Sequence, residues 1–212
     1  MSGRNDVKER ILRAAADLFM ARGFAGTTVR EIGEHAGVGQ SSLYHHARSK
    51  GQLLAELHAN FSGDLIGLLE EVVASQTSPT IQLRGVVATI MAVVHDHRAV
   101  ATVYLRESYA LSDERRAELG PERTKVNAIV DLILERGRSS GEFRSDLDIP
   151  LTRLAILGMC NWAYQWYRPD GRQTITEISE CFADLAEAAV LGGRPKKAGG
   201  GRRKSPSASV AD

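Results

Sequence analysis

The chain has 212 residues, 43% hydrophobic and 25% charged, with a formal net charge of +1. That length and balance suit one globular body, or two small ones sharing an interface, and exclude wholesale disorder. Two cysteines, Cys160 and Cys181, exclude a disulfide framework, and no apolar run approaches the ~18 residues of a membrane span.

The near-neutral total conceals an uneven distribution. Residues 1–50 carry 8 Lys/Arg against 5 Asp/Glu, residues 51–192 carry 13 against 20, and residues 193–212 carry 6 against 1. Basic ends around an acidic body point to a partner of opposite sign at the ends. Arg4, Asp6, Lys8, Glu9 and Arg10 leave no apolar core for a signal peptide, so a cytoplasmic protein with reduced, buried thiols is expected.

In chain order, Asp6 and Glu9 form a capping-box pattern ahead of an apolar stripe of Ile11, Leu12, Ala15, Leu18 and Phe19, and Gly23 supplies the stop. Thr28 and Glu31 form a second box, opening a short helix from Val29 to Ala36 that Gly37 closes. A second short helix is expected over Gln40–His46. Ser49 and Gln52 then start a long helix running to about Ala74. After the break at Ser78-Pro79, apolar stripes recur near 81–95, 99–111, 123–137, 150–167 and 175–191. The expectation is an all-α fold of about nine helices. It comprises a domain over 1–50, a second over 51–192, and a disordered basic tail over 193–212.

The segment TTVREIGEHAGVGQSSLYHHARSK carries the sharpest signal. Two short helices are joined by Gly37-Val38-Gly39, with Ile32, Ala36, Val38 and Leu43 facing inward. Gly33 stands where two steeply crossing helices need a small residue, and Gly37 where the turn needs positive φ. This is helix-turn-helix spacing, whose second helix enters the major groove of DNA. That helix presents Gln40, Ser41, Ser42, Tyr44, His45 and His46 within two turns, a dense set of groups for base edges and phosphates. Lys50 follows at the start of the next helix, where an ammonium and free backbone N–H groups can hold one phosphate. Thr28 can do the same on the other side, and Arg30 can reach a base or a phosphate. A scaffolding hairpin, with Tyr44 in the core and the histidines merely solvated, fits the same pattern.

Residues 7–55, through TTVREIGEHAGVGQSSLYHHARSKGQLL, resemble the N-terminal domain of TetR-family transcriptional regulators. The resemblance implies a homodimeric, all-helical repressor reading a palindromic operator in double-stranded DNA. It places base contacts on Arg30, Gln40, Ser41, Ser42 and His45, and phosphate contacts on Thr28, Tyr44, His46 and Lys50. Three positions depart from the family pattern. Gly39 stands for a capping Ser or Thr, Ala47 for an aromatic, and Gly51 for an acidic residue.

In the second domain, PLTRLAILGMCNWAYQWY is apolar on nearly every face, and the last helix carries Ala183, Ala186, Ala188 and Ala189. Together they look like half of an intermolecular four-helix bundle, the dimer of TetR-like proteins. Met91, His95, Tyr104, Leu105, Val130, Met159, Trp162 and Trp166 are candidate lining residues for an effector cavity, although such a stripe also suits plain core. The stretch NWAYQWYRPDGRQTITEI, with GEFRSDLD before it, is similar to the C-terminal domain of TetR-type regulators of fatty-acid and steroid catabolism. Several of those respond to acyl-CoA thioesters. That resemblance implies a small hydrophobic or acyl-CoA-type effector that releases the operator, with Arg153, Arg168 or Arg172 meeting CoA phosphates. A regulator of drug efflux sensing lipophilic xenobiotics is the alternative.

Enzyme chemistry finds little footing. His95-Asp96-His97 places its histidines two apart, whereas a helical metal pair needs three or four, and there is no Gly-rich phosphate loop or G-x-S-x-G elbow. No cofactor, metal or membrane partner is expected. A non-DNA-binding helical adaptor is the remaining class. The tail GGRPKKAGGGRRKSPS weakly resembles an AT-hook, and a solvated basic tail that adds salt-dependent affinity is the favoured reading of the same composition.

Overall fold

The computed structural model describes residues 2–110 and 120–191, and these form nine α-helices with no strand. They are α1 (Ser2–Arg22), α2 (Val29–His35), α3 (Gln40–His46), α4 (Lys50–Ala74), α5 (Pro79–Asp96), α6 (Arg98–Ala110), α7 (Gly120–Ser140), α8 (Ile149–Trp166) and α9 (Ile175–Leu191). The basic tail expected over 193–212 lies outside the described residues.

Local chemistry explains most boundaries. The Thr28 hydroxyl accepts from Glu31 N at 3.2 Å while the Glu31 carboxylate accepts from Thr28 N at 2.8 Å, a complete capping box. Ser49 caps α4 by accepting from Gln52 N at 3.1 Å. Asp148 caps α8 by accepting from Leu151 N at 3.1 Å, and Thr174 with Glu177 forms a further box before α9. One start differs from expectation. α1 begins at Ser2, so the Asp6–Glu9 pattern lies inside the helix. A box marks a start only where the preceding chain leaves the helix, and residues 2–5 contain no proline to force that exit.

Two cores result. In the N-terminal head, Ile11, Ala15 and Phe19 of α1 meet Ile32, Leu43, Ala47, Leu53 and Leu57. Gly33 permits the close crossing of α2 and α3, since a Cβ there would lie 2.6 Å from Leu43 Cδ2, and Gly37 turns the chain at φ +63°. Ala47 is fully buried, so the small residue at this position closes the core without an aromatic ring. The head core also takes a side chain from well beyond residue 50. Val103 of α6 is wholly buried in it.

The second domain is built around α5. Leu83, Val86, Val87, Ile90, Met91 and Val94 of α5 pack against Val130, Ile133 and Leu134 of α7, Ile156 and Cys160 of α8, and Ala183, Ala186 and Val190 of α9. Arg84 of α5 reaches Glu180, Asp184 and Glu187 of α9 at 2.7, 2.7 and 2.8 Å, pinning the last helix in place. Those hydrogen bonds, from Asp184 and Glu187 first, raise the Arg84 pKa above its ordinary value. Of the two thiols, Cys160 is buried and pushed up to about 12 by desolvation, whereas Cys181 is exposed on α9, contrary to the expectation that both are core. α8 is not wrapped on all sides either. Its outer face leaves Leu151 63%, Leu154 60%, Trp162 59% and Trp166 44% exposed.

Candidate nucleic-acid interface and effector region

α3 stands on the surface of the head, anchored by Leu43, the one residue of the helix that is buried. Its remaining side chains project outward. Gln40, Ser41, Ser42 and His45 line a shallow depression with Gly39, and Tyr44 is 55% exposed, so its ring is not core. His46 is half-buried, its ring edge-on to His45 at 5.3 Å between centroids. Gly39 begins the helix with no side-chain capping bond, which leaves N–H groups at its start open to an acceptor.

Two clamps set the tilt of this surface. The Arg10 guanidinium of α1 donates to Ala36 O and to Gly37 O, the latter at 3.1 Å, and so fixes the α2–α3 turn. Sequence reasoning had no signal for it, because the partners lie 26 and 27 residues away. The second clamp is Lys50. Its ammonium donates to the carbonyls of Phe24, Ala25 and Thr27 at 2.9, 3.2 and 3.1 Å and sits 4.7 Å from the centre of the Phe24 ring. Lys50, read from sequence as a phosphate ligand, ties the start of α4 to the α1–α2 loop through these contacts.

The flanking candidates are exposed but engaged. Thr28 is occupied in its capping box, where its hydroxyl and backbone hold the Glu31 carboxyl below the usual carboxylate range. Arg30 donates to Glu34 at 2.9 Å across one turn of α2. That pair is largely exposed, so a phosphate can compete for the guanidinium at little cost.

The candidate effector residues do not converge on one cavity. Met91 and Val130 are fully buried in the packed second core. Tyr104 and half-buried Leu105 belong to a separate cluster with Phe61 and Val93. His95 is exposed, its Nδ1 2.5 Å from the Tyr167 hydroxyl. Met159 is half-buried, and Trp162 and Trp166 turn away from the core. The two tryptophans do share a helix face, as their spacing requires, but it is the outer one, because the inner face of α8 carries Ile156, Cys160 and Ala163 against α5. None of the eight lines the open groove of about 450 Å³ between α1, α4 and the α5–α6 corner. Arg153 is paired with Asp131, while Arg168 and Arg172 stand exposed beyond α8.

A connection between the domains was also invisible in the sequence. The Arg106 guanidinium of α6 donates to the α1 carbonyls of Phe19 and, at 3.3 Å, Met20. Together with buried Val103 it fastens α6 to the head. Among the described residues no single helix is long and apolar enough to cross a membrane, and no cluster of His, Cys, Asp or Glu could hold a metal.

Comparison with known proteins agrees with this architecture. The family described as bacterial regulatory proteins, tetR family, matches residues 11–57, and the tetracyclin repressor-like C-terminal domain matches residues 76–190. The transcriptional repressor KstR2 of Rhodococcus jostii is 33% identical over 185 residues, 87% of this chain and 91% of that protein. The solved structure of the ketosteroid transcriptional regulator KstR2 of Mycobacterium tuberculosis superposes with a TM-score of 0.82 at 27% identity, covering 91% of this chain and 97% of that one. AibR, solved with isovaleryl coenzyme A and operator DNA, superposes at 0.74 with 25% identity over 87% and 98% of the two chains. These relatives are transcriptional regulators and not enzymes. The chain belongs to the TetR family of helix-turn-helix transcriptional repressors.

Proposed function

We propose that the chain acts in the cytoplasm as a homodimeric repressor of a palindromic operator, released by a lipophilic or acyl-CoA-type effector. The observation that carries the DNA half is α3. Gln40, Ser41, Ser42, Tyr44 and His45 all face solvent on one short helix that Leu43 and the Arg10 clamp hold in place. Arg30, Gln40, Ser41, Ser42 and His45 are assigned to bases, and Thr28, Tyr44 and His46 to phosphates. Lys50 is assigned to positioning. The dimer half rests on the outer faces of α8 and α9. Leu151, Leu154, Trp162, Trp166 and Leu185 are all exposed there, large apolar side chains that a second copy would cover. Two-fold pairing there places the two α3 helices in successive major grooves, roughly 34–36 Å apart.

The effector half draws on the relatives, one solved with a coenzyme A ester and another named for ketosteroids. Arg168 and Arg172 carry the free positive charge near the α8–α9 face that CoA phosphates need, since Arg153 is already paired. An effector that binds better to a dimer with the wrong α3 separation shifts the population off DNA. α4 and α6 are the levers, because both enter the head core. Fluorescence anisotropy with an operator duplex, light scattering and thermal-shift screening against acyl-CoAs and free acids test the three parts. A monomer that binds no duplex, or stabilisation by no CoA ester, overturns the corresponding part.

A further inference from the structure

The groove between the two domains is built differently from the α8–α9 face. α1, α4 and the α5–α6 corner enclose about 450 Å³, within the ~300–1,000 Å³ of small-molecule sites. Its floor is apolar, with Ala16, Leu57 and Phe61 all buried. Around it stand Asp17 of α1, Asp64 of α4 and Asp96 at the end of α5. None of these three carboxylates has a hydrogen-bond or ion-pair partner among the described residues. Glu9 also lines the groove, but its carboxylate is 3.1 Å from Arg13 and already neutralised. Arg98 is the remaining cation. Its Nε is buried without an acceptor. Three unpaired carboxylates against one guanidinium leave the groove negative.

We propose that this groove is a second small-molecule site, specific for an organic cation with an apolar body. It goes beyond the effector proposed above and is opposite to it in charge, because the phosphates of a CoA ester would meet these carboxylates unfavourably. The apolar body lies on Ala16, Leu57 and Phe61, and the cationic end faces Asp64 and Asp96. Because α1 belongs to the head and α5 to the second domain, one ligand touches both and favours the head orientation seen here.

The test uses three probes that share one body and differ in the end group, 4-phenylbutylammonium, 4-phenylbutanol and 4-phenylbutyrate. Each is titrated calorimetrically into the full chain without DNA or CoA ester, so the outcome is independent of the operator and effector assignments. The ammonium binds at one site per protomer, about fivefold tighter than the alcohol, since each exposed carboxylate is worth a factor of roughly 1.4–5. The carboxylate probe binds weakest. Asp64→Asn with Asp96→Asn brings the ammonium down to the level of the alcohol, and Asn60→Trp, which fills the groove from α4, removes all three. Equal binding of 4-phenylbutyrate, an unchanged preference in the double variant, persistence in Asn60→Trp, or no saturable binding of the ammonium would each overturn the proposal.

Discussion

Replacing Lys50 by Met separates two roles that a lysine at the start of α4 can play. Met keeps the aliphatic stem and removes the ammonium, and with it the donors to Phe24, Ala25 and Thr27 and the contact over the Phe24 ring. A hydrogen bond to a charged group is worth roughly 1.5–3 kcal/mol. Three bonds share one ammonium here, and water can reach the exposed carbonyl of Ala25 once it is gone. With ~0.5–1 kcal/mol from the cation–π contact, the expected loss is about 3 kcal/mol, or a melting temperature lower by roughly 6–12 °C for a domain pair of this size. Operator affinity falls as well, through a head whose α4 is no longer tied to its loop. The discriminating measurement is the slope of log affinity against log salt. A clamp that touches no phosphate leaves that slope as in the parent. A phosphate ligand lost from each protomer lowers it by about 2. Parent-like stability together with a slope reduced by about 2 would refute the clamp.

Three further outcomes follow from the packing. Gly137→Ala places a Cβ 2.1 Å from the Phe143 ring, which is buried, so thermal unfolding should show a loss of about 2–3 kcal/mol with operator contacts intact. Gly33→Ala drives a Cβ to 2.6 Å from Leu43 Cδ2, and anisotropy should show a larger loss of operator affinity than of stability, because the displaced element is α3 itself. His58, buried beside Tyr104 with Nε2 unpartnered, is pushed down to about 4 by desolvation. Its folded pKa lies below the unfolded value of ~6.5, so the unfolded chain takes up more protons between those limits. Stability therefore falls as pH drops from about 6.5 to 4, by up to roughly 3 kcal/mol, and denaturant titrations of His58→Leu should lose that part of the pH dependence.

The proposed dimer is tested on its own face. Leu154→Arg with Trp162→Glu alters two side chains that are 60% and 59% exposed, so the fold should survive while light scattering reports a monomer. On the proposed palindromic operator, affinity should then drop by roughly 100-fold or more, because a single head would meet only one half-site. A variant that remains dimeric would move the interface elsewhere.

Features that depend on a few consecutive residues are legible in the sequence. The Thr28–Glu31 box, the bounds of α3, the small residue at Gly33 and the positive φ of Gly37 all arise within one or two turns, where composition and spacing carry the physics. The same is true of the outward set on α3, since burying Leu43 leaves its neighbours no other direction. Periodicity also grouped Trp162 with Trp166 correctly. Which face of α8 meets the core is a different matter, decided by contact with α5, which lies about 70 residues earlier in the chain and beyond the reach of local spacing. The stripe of Ile156, Cys160 and Ala163 won that contact, and the tryptophans were left outside with Cys181 and Leu185. Lys50, Arg10 and Arg106 show the same limit. Each is a cation on a helix, and each finds backbone carbonyls that only the folded chain brings near. Local hydrogen bonds and helix periods act over a few residues and are written in their order. Burial and the partners of long charged side chains depend on which surfaces meet, and that is settled by the packing of the whole chain.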